Sequence, residues 1–202
     1  IEQLDSNDVN PTSGREFFIK CIIVSVLAAL LIILYIAFRF KQISGWSAGV
    51  CAVVGLVHNL IFVFGTFVIL GYEINANFIA VILTILGYSV NDTIVVYDRI
   101  RENKSIMKKA SVAELVNVST SQSMRRSIRT SVTTVSTMVI VTIVAYCFGV
   151  SSILSFSIPM IVGMAAGTYS SLFIASQLWV WWNERKSVSY THLRAHETAA
   201  NL

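Results

Sequence analysis

Charged residues are scarce in this sequence of 202 residues. Asp, Glu, Lys and Arg together make up 13% of it, about half of the ~25% that is usual for a soluble domain. Hydrophobic residues make up 55%, so the composition excludes an ordinary soluble domain and indicates a membrane protein. The formal net charge of +4 does not indicate nucleic-acid binding, because the basic residues collect at the ends of apolar runs.

The motifs of soluble enzymes and metal sites are also missing. The three cysteines stand alone in apolar runs, without a C-x-x-C pair, so we interpret them as small buried hydrophobic residues. The sequence contains no phosphate-binding loop, no G-x-S-x-G motif and no cluster of metal ligands. We therefore expect a protein that is not an enzyme and that carries no metal and no organic cofactor.

Five apolar runs are present, and each is long enough to cross a hydrocarbon core of ~30 Å as a helix. We expect an all-α membrane protein with five transmembrane helices at about 17–38, 48–70, 76–97, 130–148 and 153–182. Pro159 is expected to interrupt the last helix. Gly163 and Gly167 follow it at a spacing that favours close helix packing.

Polar segments flank and separate these runs. Residues 1–16 have the composition of a turn or linker, and 98–129 form a long polar connection. Within that connection we expect either an amphipathic helix from Ser111 to Val118 along the inner membrane surface, facing anionic lipids, or a solvated run of charges.

The final segment, 187–202, follows no membrane pattern. Its His192 and His196 have the spacing of a metal-binding pair, but no third ligand stands nearby. We interpret this tail as disordered or as an appendage that is foreign to the functional unit.

Basic residues lie on alternate connections between the runs. They follow the first, third and fifth runs, as Arg39, Lys41, Arg99, Arg101, Lys104, Lys108, Lys109, Arg125, Arg126, Arg129, Arg185 and Lys186. The two intervening turns carry none. By the positive-inside rule, this distribution predicts an N-terminus outside the membrane and a C-terminus in the cytoplasm.

Asp92 is the only acidic residue deep in an apolar run. A charged group at the membrane centre costs roughly 2.5–3.5 kcal/mol on insertion scales, and such residues often mark ion or proton paths. Because a low dielectric favours the neutral carboxyl, Asp92 is a candidate for binding and releasing protons. The alternative is a protonated carboxyl that only bonds two helices together. The neighbours Asn91 and Thr93 suit both interpretations.

Arg126 and Arg129 stand just before the fourth run. Either arginine can approach Asp92 and stabilise its ionised form, or both can anchor the helix at the membrane surface by snorkelling. Ser131, Thr133 and Thr134 follow, and they can line a wet path or bond to the backbone of their own helix.

His58 lies in the middle of the second run, where a histidine can relay protons or form a structural hydrogen bond. The third run ends in a charged motif. We expect this motif to form a charged helix end whose ion pairs contribute little to stability. This motif consists of Asp98, Arg99, Arg101 and Glu102.

The stretch Gly87–Asn103, GYSVNDTIVVYDRIREN, resembles the SecF branch of the SecD/SecF family of protein-export membrane proteins, which is similar to the resistance-nodulation-division (RND) superfamily. Phe38–Phe40, Thr130–Thr134 and Gly167–Ser171 also resemble this family. The resemblance covers about 14–185.

The resemblance implies a fold in which the five spans are helices two to six of a six-helix half, and residues 1–13 end a periplasmic domain. It implies a multi-pass protein of the bacterial or archaeal cytoplasmic membrane that acts with SecD at the SecYEG channel, after SecA. Such a protein uses the proton-motive force, with H+ or alternatively Na+ as the coupling ion, to pull preproteins across through its periplasmic domain. An RND exporter of small molecules or lipids and a structural scaffold are the other hypotheses.

The resemblance also implies roles for single residues. Asp92 matches the family's acid in the proton path, and Arg126 matches its arginine before the next helix. Arg129 falls where the family is usually apolar. Asn59 stands where the family often has an aspartate.

Overall fold

The computed structural model describes residues 11–185, and this part of the chain is helical. The helices are α1 (Pro11–Arg39), α2 (Gly45–Leu70), α3 (Ala76–Ile106), α4 (Val112–Cys147) and α5 (Ser151–Tyr169), with a short 3-10 turn at Lys41–Ile43. A π-helical segment, Ser170–Ala175, continues α5, and α-helix resumes to residue 185. Five helical segments are long and apolar enough to cross a membrane, so the predicted all-α membrane fold is confirmed.

The helix α5 lies at the centre of the bundle, where it packs against α2, α3 and α4. A glycine on the contact face of α5 allows this close packing. A Cβ on Gly163 would lie 2.8 Å from side-chain atoms of Ile85 in α3 and Val63 in α2. The expected close packing at the glycine spacing is therefore confirmed. The helix α1 packs mainly on α2, and most of its described side chains are exposed.

Two apolar cores stack along the bundle. One core lies at the end that carries Arg39, Arg99 and Arg101, called the basic end below, and includes Phe40, Tyr97, Ile100, Leu115, Val116 and Trp179. The other core lies at the opposite end and includes Val63, Phe67, Phe78, Val81, Ile85, Met160 and Met164. Between them, each of α2, α3, α4 and the continuation of α5 contributes buried polar side chains.

The expected long connection 98–129 is wrong in its extent. Helix α3 continues to Ile106 and α4 begins at Val112, so a five-residue link joins two longer helices. Ion pairs one turn apart stabilise the charged end of α3, between Arg101 and Asp98 at 3.0 Å and between Arg99 and Glu102.

The expected surface helix from Ser111 to Val118 is likewise corrected. Ser111 caps α4 by accepting a hydrogen bond from the backbone N–H of Glu114 at 3.2 Å, which is a helix start signal. The apolar residues Leu115 and Val116 are buried in the core at the basic end. The segment is thus the first part of α4, and its apolar face packs on protein.

Pro159 does not interrupt α5. The helix runs through it from Ser151 to Tyr169, and Pro159 is buried. The irregularity lies further along, in the π-helical segment Ser170–Ala175, of a kind that often occurs at functional sites.

Candidate functional site

The carboxyl group of Asp92 lies between α3 and α4. Its Oδ1 accepts a hydrogen bond from Ser127 Oγ at 2.6 Å, and the residue is 8% exposed. Its Oδ2 is buried and has no hydrogen-bond partner among residues 11–185. A buried polar atom without a partner costs free energy, and far more when it is charged. The arrangement therefore suits a neutral carboxyl.

The two candidate arginines differ in their relation to Asp92. Arg126 and Arg129 are both exposed, and neither forms an ion pair with Asp92 in the described part of the chain. Arg126 is nevertheless close enough for its charge to attract an ionised Asp92 carboxylate. Arg126 directly precedes Ser127 in α4, but Arg126 is exposed whereas Ser127 is buried against α3.

A row of hydroxyls continues from Ser127 into the bundle. Ser131, one turn further along α4, donates to the Ser127 carbonyl at 2.9 Å. Its Oγ also contacts the hydroxyls of Tyr88 in α3, at 2.9 Å, and of Thr168 in α5. Polar contacts thus join α3, α4 and α5 beside Asp92.

A second group of buried polar residues joins α2, α3 and the π-helical segment. The Asn59 amide donates to Ser89 Oγ at 2.8 Å, and Thr93 Oγ1 donates to Ser171 Oγ at 3.0 Å. Ser171 Oγ in turn donates to the Ser89 carbonyl at 3.2 Å. These residues and those around Asp92 are together called the polar layer below. Thr93 belongs to it but has no hydrogen bond to Asp92.

Four other predicted site residues lie outside these hydrogen bonds or at their margin. Asn91 is exposed. Thr133 and Thr134 both donate to the Thr130 carbonyl at 2.8 Å, which matches the backbone-bonding alternative. His58 is half-buried, with its Nδ1 3.3 Å from Asn59 Oδ1, so it touches the polar layer at one side.

The charged motif lies at the basic end, away from Asp92 along α3. Asp98 forms ion pairs with Arg101 at 3.0 Å and with Arg39 of α1 at 3.2 Å. Arg99 pairs with Glu102 and donates to Gln122 Oε1 of α4 at 2.6 Å. Because these side chains are partly exposed, each pair contributes about 0.2–1 kcal/mol. Their role is to join three helices at this end.

The sequence analysis did not single out Ser119, Ser123 and Ser127 of α4. Ser119, Ser123, Ser127 and Ser131 recur every four residues and are all buried, so they form one stripe on the helix face that meets α3. This spacing is visible in the sequence. In the described part of the chain, no group of three or more His, Cys, Asp and Glu side chains can hold a metal ion.

Comparison with known proteins identifies the family. A family model described as "Protein export membrane protein SecD/SecF, C-terminal" matches residues 1–185. The chain belongs to this family. The resemblance to this family, which the motif around Asp92 indicated, is therefore confirmed, and it covers most of the chain.

Curated relatives carry SecF and SecDF names. The chain is 39% identical to "Protein translocase subunit SecF" of Thermobaculum terrenum, over 98% of the chain and 63% of the relative. It is 39% identical to "Protein translocase subunit SecDF" of Thermus thermophilus, over 91% of the chain and 24% of the relative. The chain thus spans less than two thirds of these relatives.

Solved structures of the family share the fold. A crystal structure of the Thermus SecDF, described as a translocon-associated membrane protein, matches with a TM-score of 0.75 and 37% identity, over 86% of this chain and 23% of that one. SecDF in its super-membrane-facing form matches with a TM-score of 0.73 and 38% identity, over 81% and 21% of the two chains. The chain is a multi-pass protein of the cytoplasmic membrane.

Proposed function

We propose that this chain belongs to a SecF-type subunit of the Sec protein-export machinery, which acts with SecD at the SecYEG channel after SecA. It uses the proton-motive force to draw preproteins across the membrane, as a transport subunit and not an enzyme. The family match and the names of the relatives support this. The single observation that carries it is the buried Asp92 carboxyl with one oxygen bonded to α4 and the other without a partner.

The proposed mechanism uses the two charge states of Asp92. When the carboxyl is neutral, it accepts the Ser127 hydrogen bond, and α3 and α4 keep the packing described above. When the proton leaves, the buried charge requires compensation, and the nearby Arg126 supplies it by turning inward. This exchange of partners favours a second packing of α3 against α4.

The orientation follows from the basic residues. We propose that the basic end faces the cytoplasm and that the N-terminus of the chain lies outside. Motion of the helices then passes to a periplasmic domain that binds the preprotein. H+ is the proposed coupling ion in place of Na+, because a carboxyl with a single hydroxyl partner suffices to bind a proton.

Substitution of Asp92 tests the proposal. In the full-length protein, Asp92→Asn keeps an oxygen that can accept the Ser127 hydrogen bond but removes the titrating group. We expect export stimulated by the proton-motive force to be lost, while assembly with SecD is retained. Glu114→Gln, which neutralises an exposed acid at the start of α4, is the matched control and should export normally. The assay is pulse-chase export of a preprotein, with and without an ionophore.

The alternatives give different outcomes in the same strains. Normal export by Asp92→Asn at normal protein levels would contradict the proposal and favour a structural scaffold. Failure of the wild-type protein to co-purify with SecD and the Sec channel would favour an RND exporter of small molecules or lipids.

A further inference from the structure

Ser127 differs from the other serines of its stripe in what it binds. Ser119, Ser123 and Ser131 each donate to a carbonyl four residues earlier in α4, as serines in helices commonly do. Ser127 instead donates to Asp92 Oδ1 in α3 at 2.6 Å. It is 1% exposed, so water does not compete for this bond. Its hydroxyl thus points across the interface between α4 and α3, at Oδ1 of Asp92.

The bond makes the two oxygens of Asp92 unequal. A neutral carboxyl has one carbonyl oxygen, which accepts, and one O–H group, which donates. Because Oδ1 accepts the Ser127 hydrogen, Oδ1 is the carbonyl oxygen and the acid proton is placed on Oδ2. Oδ2 is buried and has no partner in the described part of the chain, so a proton on Oδ2 can leave only when water or another acceptor reaches this oxygen.

We propose that Ser127 is a positioning residue of the proton site: it holds Oδ1 of Asp92 and so assigns the exchangeable proton to Oδ2. Ser127 also links the carboxyl to α4, next to Arg126, so that proton loss from Asp92 changes a contact that α3 makes with α4. The use of this arrangement in export rests on the proposed function. The assignment of the oxygens rests on Ser127 being the donor in its hydrogen bond to Asp92.

Infrared difference spectroscopy of the full-length protein in its SecD complex tests the inference. The C=O stretching band of neutral Asp92 is identified by its loss in Asp92→Asn. A hydrogen bond to the carbonyl oxygen lowers this frequency, so Ser127→Ala should shift the band upward. Ser127→Thr, which keeps the hydroxyl, should restore it. Ser127→Cys, a weaker donor, should give a smaller shift.

Ser123→Ala is the matched control. Ser123 is buried on the same face one turn earlier, but it donates to the Ser119 carbonyl of its own helix, so its removal should leave the band unmoved. We further expect Ser127→Ala to lower export driven by the proton-motive force several-fold, with recovery in Ser127→Thr.

Two outcomes would overturn the inference. One is an Asp92 band that stays in place in both Ser127→Ala and Ser127→Cys. The other is an equal shift in Ser123→Ala, which would indicate a general loosening of the interface. A band that responds to Ser127 as expected, in a protein whose export does not depend on Asp92, would reject the proposed function and support the inference.

Discussion

At the scale of single residues, the contacts of Asp92 explain why an acid is tolerated here. One oxygen is bonded to Ser127 and the whole residue is 8% exposed, so the neutral form leaves one buried oxygen without a partner, at a cost of about 1–3 kcal/mol. The ionised form leaves a buried charge with one hydroxyl for compensation, which is expensive. The free energy of this packing therefore depends strongly on whether Asp92 is protonated.

Tyr97 provides a test of a buried polar contact on the same helix. Its side chain is fully buried, and its hydroxyl donates to the Ala48 carbonyl of α2 at 3.0 Å. Tyr97→Phe should lower the free energy of unfolding by about 1 kcal/mol, since this is the usual net value of one hydrogen bond. Thermal unfolding in detergent measures it. Tyr35→Phe, at a half-exposed position of α1, should change nothing, and an equal loss there would contradict the assignment.

At the scale of helices, close packing at α5 depends on Gly163. A Cβ there would lie 2.8 Å from atoms of Ile85 and Val63, so Gly163→Val should destabilise the bundle by about 1–3 kcal/mol through overpacking. Gly65→Ala, at a helical position with open space around the added methyl, is the control and should be neutral or stabilising. Equal melting temperatures for the two variants would show that this approach of the helices is not tight.

The start of α4 depends on its cap. Ser111 accepts a hydrogen bond from the Glu114 N–H, so Ser111→Ala should cost about 1 kcal/mol. The loss should appear as faster amide hydrogen exchange in the first turn of α4. Ser121→Ala, an exposed position within the same helix, should leave that exchange unchanged. Unaltered exchange in Ser111→Ala would instead indicate that packing of Leu115 and Val116 alone fixes the helix start.

The apolar parts of the helices could be predicted from hydropathy, but their polar continuations could not. The apolar runs located all five helices, but hydropathy carries no information on the charged continuation of α3 to Ile106. That continuation is stabilised by ion pairs and by Asn103, which donates to Ser119 Oγ at 2.9 Å. Pro159 was expected to break a helix because the local rule assigns a cost to its ring, and tertiary packing outweighs that cost here.

At the scale of the whole molecule, the polar layer lies between two apolar cores and is shared by four helical segments. Asn59, Ser89, Ser127 and Ser171 each come from a different one. The cores are packed from apolar side chains, whereas the layer is joined by hydrogen bonds. Under the proposed function, a change of charge at Asp92 acts in this layer and in neither core.

The site was predictable only in part for a related reason. Asp92 is conspicuous in the sequence because its charge contrasts with an apolar run. Its partner Ser127 is not, because serine is common and its contact with Asp92 spans 35 positions. The four-residue spacing of the α4 serines was the available signal, but spacing alone does not show which helix a stripe meets.

The most direct test of the account is a pH-jump infrared difference spectrum of the full-length protein in its SecD complex. We predict a carboxyl C=O band that appears on acidification, disappears on return, and is absent in Asp92→Asn but present in Glu114→Gln. A spectrum in which no carboxyl band depends on Asp92 would show that this acid keeps one protonation state, and would contradict its role in proton-driven export.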